Sequence, residues 1–225
     1  MIVRMWMSKP VIVVSSQACV TEAALLMGKH HIRRVVVADP HSDGGVRVKG
    51  ILSKHDVLHA YPPHINPFLQ VPEETENLPR VSQIMTHNVL SIHPDAPVEE
   101  AAIVLRDKKI GALPVMLDQQ LIGIITESDI FKALTRLLMG SEETIRITLE
   151  VGDENVLPAV TQKAKQMRVY ITSIATFVWK KRRAAILRVS GGRERAFVQW
   201  LWESGIAVLD ISPSLEAQDH EEKSV

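Results

Sequence analysis

The stretch GILSKHD at residues 50–56 recurs as GIITESD at residues 123–129. Both copies place a glycine before two apolar residues, then a hydroxyl residue, and then an aspartate three positions further on. The same spacing twice in one chain indicates an internal repeat, and repeats have to be recognised before any other feature of a fold is assigned.

The repeat extends well beyond these seven residues. Positions 7–37 align without a gap with positions 85–115, at an offset of 78 that pairs Met7 with Met85. The offset falls to 73 at Gly50 and Gly123, because the first copy has five additional residues in DPHSDGGVRVK at 39–49. The glycine, aspartate and serine content of that segment predicts a longer hairpin loop in the first copy.

Each copy predicts the element order β-α-β-β-α. The predicted strands are, in chain order, 11–14, 35–38, 48–52, 89–92, 113–117 and 121–125. The helix after the first strand has apolar residues at the i, i+3, i+4, i+7 spacing of one helix face. The turn at 118–120 predicts a hairpin, and a second helix begins after Ser53 or Thr126.

The segment between the copies is rich in proline. Prolines at 62, 63, 67, 72 and 79 exclude a long regular helix or a central strand, because proline lacks the backbone N–H group. We therefore expect the first copy at residues 1–62, an irregular crossover at 63–80 and the second copy at 81–140.

The hydroxyl residue and the aspartate of each motif have two interpretations. Ser53 with Asp56, and Thr126 with Asp129, have the spacing of a capping box at a helix start. The same groups can also hold a nucleoside phosphate, because the free N–H groups of a helix start attract anions and a carboxylate accepts hydrogen bonds from ribose hydroxyls. One motif alone favours neither interpretation, whereas two matched motifs favour the second.

The repeat, with G-h-h-[ST]-x-x-D at its strand-to-helix junctions, resembles a tandem pair of CBS domains over about residues 1–140. The resemblance implies one disc-like module with two clefts that commonly bind an adenosine nucleotide such as AMP, ADP or ATP. It assigns Ser53 and Asp56 to one cleft and Thr126 and Asp129 to the other, with each aspartate on the ribose. The family also includes members that bind S-adenosylmethionine and members with empty clefts.

The two copies differ in charge just before the second strand. The first copy has Ile32-Arg33-Arg34 and the second has Ile110-Gly111-Ala112. In many nucleotide-binding relatives a basic residue here meets the phosphate, and a guanidinium presents a planar fork of donors to such an anion. A solvated strand entrance is the alternative. The charge difference favours the Asp56 cleft for a phosphorylated ligand, unless Arg33 reaches across to the Asp129 cleft.

These observations define the candidate nucleotide-binding residues. They are Arg33, Arg34, Ser53, Asp56, Ile110, Gly111, Thr126 and Asp129.

Residues 141–213 predict a separate domain with the ferredoxin-like order β-α-β-β-α-β. The predicted elements are strand 145–151, helix 156–167, strands 169–179 and 184–189, helix 193–204 and strand 206–211. The order resembles an ACT domain, a regulatory module that often binds amino acids between paired copies. The turn GDEN at 152–155 differs from the usual ligand turn, which favours a dimerising or packing role. We expect residues 214–225 to form an acidic mobile tail.

Composition narrows the function classes. The 225 residues include 26 basic and 26 acidic side chains, so the chain lacks the basic excess of proteins that bind nucleic acid or acidic membranes. Cys19 is the only cysteine, which excludes an intrachain disulfide and fits a reducing compartment. We find no signal-peptide core and no apolar run that could span a membrane, so we expect a cytoplasmic location.

The strongest sign of catalysis is a pair of histidines. His55 and His59 have the i, i+4 spacing of a metal site and suggest, as an alternative function, a zinc-dependent hydrolase. The second copy has Ser128 and Lys132 at these places, and Asp56 between the histidines belongs to the repeated motif. We therefore expect no enzyme, no metal and no resident cofactor; a scaffold with empty clefts is the third possibility.

Two CBS-like repeats followed by an ACT-like domain resemble the acetoin utilization family of regulatory proteins. The opening MIV, the HIRR segment at 31–34 and the chain length all suit that family. The resemblance implies a cytoplasmic regulator with a nucleotide-responsive module, and it does not make acetoin the ligand. We expect a homodimer that acts on an unidentified protein target.

Overall fold

The structure is a computed structural model that describes residues 1–41, 45–61, 65–68, 78–139, 144–152 and 154–213. Most of the predicted crossover and the whole predicted tail lie outside these residues. The chain divides into two units, Met1–Ala133 and Leu134–Val225. Within the described residues, no helix combines the length and the apolar character needed to cross a bilayer.

The first repeat has the predicted order β-α-β-β-α. Its elements are β1 (Val13–Val14), α1 (Val20–Lys29), β2 (Arg34–Pro40), β3 (Val46–Ser53) and α2 (Lys54–Ala60). They form a sheet of order β1-β2-β3, in which β1 is parallel and β3 is antiparallel to β2. The connection from β2 to β3 is longer than its counterpart in the second repeat, as predicted.

The second repeat departs from the prediction at its first strand. Its elements are α3 (Val81–Ile84), α4 (Val98–Lys108), β4 (Ala112–Leu117), β5 (Gln120–Thr126) and α5 (Glu127–Met139). The predicted strand at 89–92 is wrong, because only Ile92 pairs, as an isolated parallel bridge with Val115. Asn88 before this segment has a left-handed backbone with φ 54°, and Pro94 follows the bridge, so the extended run stays short.

The predicted hairpin of the second repeat is confirmed. β4 and β5 pair antiparallel and are joined by Asp118 and Gln119. Both residues have positive φ values, 47° and 68°, which is typical of the two-residue turn that matches the twist of the flanking strands.

The glycine of each motif lies against a methionine of the other repeat. Gly50 of the first motif lies against Met85, and Gly123 of the second motif lies against Met7. A Cβ atom on Gly50 would lie 2.5 Å from Sδ of Met85, and one on Gly123 would lie 2.4 Å from Sδ of Met7. An added carbon atom at either glycine would overlap the methionine, so the methionine side chain would have to shift.

Backbone pairing repeats the same exchange. The N–H group of Ser8 donates to the carbonyl of Ile124 at 2.8 Å, and the N–H group of Thr86 donates to the carbonyl of Ile51 at 2.9 Å. The cores follow the same pattern: Val3 is buried in the core of the second repeat and Val81 in the core of the first. The segment before the first repeat thus packs into the second repeat, and the segment before the second repeat packs into the first. This exchange joins the two repeats in one unit.

The second unit has the predicted ferredoxin-like arrangement. Its elements are β6 (Ile145–Glu150), α6 (Val156–Met167), β7 (Tyr170–Trp179), β8 (Arg182–Ser190), α7 (Glu194–Glu203) and β9 (Val208–Pro213). The sheet has the order β7-β8-β6-β9 and all its pairs are antiparallel. Its core includes Ile147, Leu187, Phe197 and Leu201. Gly205, with φ 71°, ends α7 in the left-handed conformation that follows many helices.

Candidate functional site

Both repeated motifs form capping boxes, so the capping interpretation is confirmed. In the first, the N–H and Oγ groups of Ser53 donate to Oδ2 of Asp56 at 2.8 and 2.7 Å, and the N–H group of Asp56 donates back to Ser53 Oγ at 3.2 Å. In the second, Thr126 and Asp129 make the same three bonds at 2.9, 2.7 and 3.4 Å. Each cap uses Oδ2 of the aspartate, so the carboxylate is held rigidly at the helix start.

The first motif faces a cleft of about 280 Å³, which we call the Asp56 cleft. Its polar and charged lining consists of Arg34, Ser53, Asp56, Thr86, Asn88 and Lys109. Its apolar walls are Ile51, Val89, Leu90, Ile110 and Ala112, and Gly111 completes the lining. A few polar groups among apolar walls are the usual composition of a small-molecule site.

The second motif faces a cleft of about 230 Å³, the Asp129 cleft. Its polar and charged lining consists of Ser8, His31, Arg33, Arg34, Thr126, Ser128 and Asp129. Its apolar walls are Pro10, Val11, Ile12, Ile32 and Ile124. Oδ1 of Asp129 accepts a long hydrogen bond of 3.5 Å from Ser8 Oγ, so this oxygen faces the segment that precedes β1.

Each cleft combines the motif of one repeat with residues just before the second strand of the other repeat, and Arg34 also lines the cleft of its own repeat. Ile110 and Gly111 therefore lie with Asp56, and Arg33 lies with Asp129. The sequence suggested that both arginines serve the Asp56 cleft and left open that Arg33 reaches across. The structure places Arg33 across: its Nη2 atom donates to Ser128 Oγ at 3.0 Å.

Arg34 extends in the other direction. Its guanidinium lies against Gly111 in the Asp56 cleft, so closely that a Cβ atom on Gly111 would lie 1.9 Å from Nη2. All eight residues singled out in the sequence thus line one of the two clefts, four of them with Asp56 and three with Asp129, while Arg34 lines both.

Sequence reasoning missed two basic residues of the clefts. Lys109 in the Asp56 cleft and His31 in the Asp129 cleft are equivalent by the repeat offset. Both have left-handed backbones, with φ values of 52° and 51°; Lys109 is the first residue after α4 and His31 is the second after α1. Their only sequence signal is a basic residue in the same place in both copies, just before the isoleucine of the strand entrance.

The cations of the clefts have no ion-pair partner in the part of the chain that the structure describes. Its ion pairs involve Arg4, Arg106, Arg146, Arg182 and His93, all outside the two clefts. Arg33, Arg34 and Lys109 therefore present positive charge to the clefts, which favours an anionic ligand.

The histidine pair has a weaker basis as a metal site. The rings of His55 and His59 lie with their centroids 4.1 Å apart. Among the described residues, however, no group of three or more histidine, cysteine, aspartate or glutamate side chains is placed to hold a metal ion. Asp56 between the two histidines is engaged in the helix cap.

The fold and the paired clefts define a protein built from an interlocked tandem repeat with two ligand-sized sites. The chain matches the CBS domain family over residues 3–63 and 81–136, and it therefore belongs to that family. It is similar to a CBS domain-containing protein of Dictyostelium discoideum, with 34% identity over 145 residues, which cover 61% of this chain and 93% of the relative.

A second relative is an enzyme. L-aspartate semialdehyde sulfurtransferase of Methanocaldococcus jannaschii is 30% identical over 125 residues, which cover 55% of this chain. The same match spans only 21% of the sulfurtransferase.

Two solved structures are also similar. The CBS domain pair of protein MJ0100, in complex with 5-methylthioadenosine and S-adenosyl-L-methionine, is 29% identical and has a TM-score of 0.49, covering 60% of this chain and 95% of that one. A protein of Vibrio cholerae proposed to be the acetoin utilization protein AcuB is 28% identical, with a TM-score of 0.49, covering 61% of this chain and 93% of that one.

Proposed function

We propose that this chain is a cytoplasmic regulatory protein whose CBS pair binds an adenosine nucleotide, AMP, ADP or ATP. The observation that carries the proposal is the same opposition of groups in both clefts. A rigid carboxylate and a hydroxyl at a helix start face basic side chains beside a strand start: Arg34 and Lys109 in the Asp56 cleft, and Arg33 in the Asp129 cleft. A ribose with a phosphate attached has the complementary pattern of vicinal hydroxyls and negative charge.

In the Asp56 cleft each part of a nucleotide has a partner. Asp56, whose Oδ2 atom is used by the cap, offers Oδ1 to the ribose hydroxyls. Arg34 and Lys109 provide two cations for the phosphate, and the guanidinium can bind it through two parallel hydrogen bonds. The apolar side chains Ile51 and Leu90 provide a surface on which the purine ring packs.

We place the phosphorylated ligand first in the Asp56 cleft. Its guanidinium, from Arg34, belongs to no ion pair of the described residues, whereas Arg33 in the Asp129 cleft already donates to Ser128. Ser128 thus uses one of the N–H donors of Arg33 and fixes its guanidinium, whereas, among the described residues, all five donors of Arg34 are available to a phosphate.

A melting screen of the full chain tests the proposal. The ligands are AMP, ADP, ATP, S-adenosylmethionine, NAD and free amino acids. We expect an adenosine nucleotide to raise the melting temperature, since a ligand present at 100 times its Kd stabilises the native state by about 2.7 kcal/mol. If S-adenosylmethionine gave the largest shift, the clefts would still be ligand sites, but their ligand would be S-adenosylmethionine and not a nucleotide. No shift with any adenosine compound would contradict the proposal and favour a scaffold.

We also propose that the second unit is an ACT-like domain that mediates dimerisation and transmits the ligand signal to a target protein. Its ferredoxin-like sheet supports the proposal, together with the edge strand β7. That strand exposes Tyr170, Val178 and Trp179 to 69%, 70% and 57%. Light scattering at micromolar concentration should give a dimer, and a monomer with and without nucleotide would contradict this part of the proposal.

A further inference from the structure

Arg34 is the one residue that lines both clefts, within the lining that the structure describes. It is the first residue of β2, where it pairs with Ser53 of the first motif. Its backbone is thereby fixed beside the Asp56 motif, next to Arg33, which extends into the Asp129 cleft. Arg34 lies at the place where the two clefts approach each other.

Gly111 leaves the space that the Arg34 guanidinium occupies. Nη2, Cζ and Nη1 of Arg34 would lie 1.9, 2.1 and 2.5 Å from a Cβ atom on Gly111. The φ of Gly111 is outside the left-handed range, so any residue could adopt its backbone, and the glycine is required only for space. A side chain at position 111 would displace the guanidinium from this place, so the glycine allows Arg34 to lie in the Asp56 cleft.

The other cleft cations belong to single clefts. Lys109 lines the Asp56 cleft, and Arg33 lines the Asp129 cleft, where Ser128 holds it. One guanidinium cannot form the same bidentate hydrogen bonds to two phosphates in two separate clefts. The second phosphate to bind therefore lacks a charge-assisted contact that the first one has.

We propose that Arg34 is a shared anion-binding group, positioned by Gly111, and that it makes the two clefts compete for a phosphorylated ligand. The competition rests on the proposed function, because it requires that both clefts accept an adenosine compound. It applies to ligands with a phosphate and not to adenosine, which leaves the guanidinium where it lies. The module would then respond to the number of phosphorylated ligands it holds, with the second bound more weakly than the first.

Calorimetric titration of the full chain with AMP and with adenosine tests the competition. For the wild type we expect the ratio of the second to the first Kd to be about tenfold larger for AMP than for adenosine, the usual size of the loss of one hydrogen bond to a charged group. In Arg34→Ala the two ratios should become equal, with AMP weakened and adenosine little changed. A single AMP per chain with two molecules of adenosine would be the extreme form of the expected result.

Gly111→Ala provides a second, independent variant. It should weaken the first AMP by about tenfold and adenosine much less, because it displaces the guanidinium without removing the charge. Gly152→Ala is the matched control, since a Cβ atom there meets nothing within 4 Å, and it should leave both affinities unchanged. The melting temperature of each variant without ligand shows whether it is folded.

The outcomes separate the competition from the function on which it rests. If the ratio of the second to the first Kd for AMP were the same in the wild type and in Arg34→Ala, the shared role of Arg34 would be overturned. Equal losses of AMP and adenosine affinity in Gly111→Ala would overturn it too. In either case the proposal that the chain binds a nucleotide would still stand. Failure of both AMP and adenosine to bind the wild type would overturn the proposed function and the competition together.

Discussion

The two repeats share a backbone plan but contribute different chemistry to the clefts. The first repeat places Arg33 and Arg34 at the entrance of its strand β2, and the second places Gly111 and Ala112 at the equivalent entrance of β4. The first repeat thus supplies a guanidinium group to each cleft: Arg34 extends past Gly111 into the Asp56 cleft, and Arg33 donates to Ser128 in the Asp129 cleft. The difference teaches that one repeat can supply the arginines of both clefts, while the other contributes Lys109 to one cleft and the space that Arg34 occupies.

In contrast, the contacts that join the repeats are the same in both. Each motif glycine receives a methionine, and each following residue pairs through backbone hydrogen bonds with the incoming segment. Symmetry is thus retained where the two repeats interlock and is lost where a ligand would bind.

The largest effect is expected on stability, from substitutions of the two motif glycines that contact the methionines. Gly50→Ala should lower the free energy of unfolding by about 2–3 kcal/mol, and Gly123→Ala by about 1 kcal/mol, within the range for overpacked cores. The added carbon at Gly50 meets Thr86 O, a backbone atom, at 2.8 Å, whereas the three nearest atoms at Gly123 all belong to the flexible side chain of Met7.

Chemical denaturation of both variants measures this difference, with Gly152→Ala as the control in open space. Equal stability of the Gly50→Ala variant and the wild type would show that the methionine and the backbone around it adjust freely.

A smaller effect should separate the two arginines. Arg34→Ala should weaken AMP binding by about tenfold, because a hydrogen bond to a charged group is lost. Arg33→Ala should weaken it less, since Arg33 is already bonded to Ser128. Adenosine affinity should change little in either variant, and calorimetry with both ligands measures the contrast. If Arg33→Ala caused the larger loss of AMP affinity, the phosphate would belong in the Asp129 cleft.

The smallest effect concerns a carboxylate that only the first repeat has. Asp39 accepts hydrogen bonds from the Oγ and N–H groups of Ser16 at 2.6 and 2.9 Å, and these bonds lower the pKa of Asp39 below its ordinary value. The second repeat has Leu117 at the equivalent position.

A lowered pKa in the folded state stabilises the protein above the ordinary aspartate pKa of about 4, and this stability is lost as the pH falls through the folded-state value. The wild type should therefore lose more stability than Asp39→Asn between about pH 5 and pH 3, as measured by urea denaturation. Parallel pH profiles for the two proteins would show that Asp39 makes no such contribution.

Much of the fold could be predicted from the sequence because the repeat doubles every signal. The apolar spacing and the hydroxyl and aspartate of each motif identify α1, α2, α4 and α5, and the order of the second unit follows from one clear pattern of strands and helices. The strand at 89–92 could not be predicted correctly, because four apolar or small residues do not reveal that only Ile92 has a partner.

The residues of the candidate site could be predicted from the sequence. Which residues of one repeat face the motif of the other could not. Alignment of the copies shows which positions are equivalent, yet it does not show that each motif faces the strand entrance of the other repeat. That exchange is a matter of tertiary packing, like the contacts of Met7 with Gly123 and of Met85 with Gly50. Lys109 was missed for a similar reason, since a basic residue matched in both copies does not show that the first residue after α4 lines the Asp56 cleft.

The central claim is that the motif aspartates hold an adenosine nucleotide, and calorimetric titration of AMP into the wild type, Asp56→Ala and Asp129→Ala tests it most directly. Each change also removes part of a helix cap, at a cost of about 1 kcal/mol, so melting temperatures without ligand are measured first. We predict that AMP binding weakens by about tenfold or more in Asp56→Ala and by less in Asp129→Ala. AMP affinities in both variants equal to that of the wild type would contradict the account.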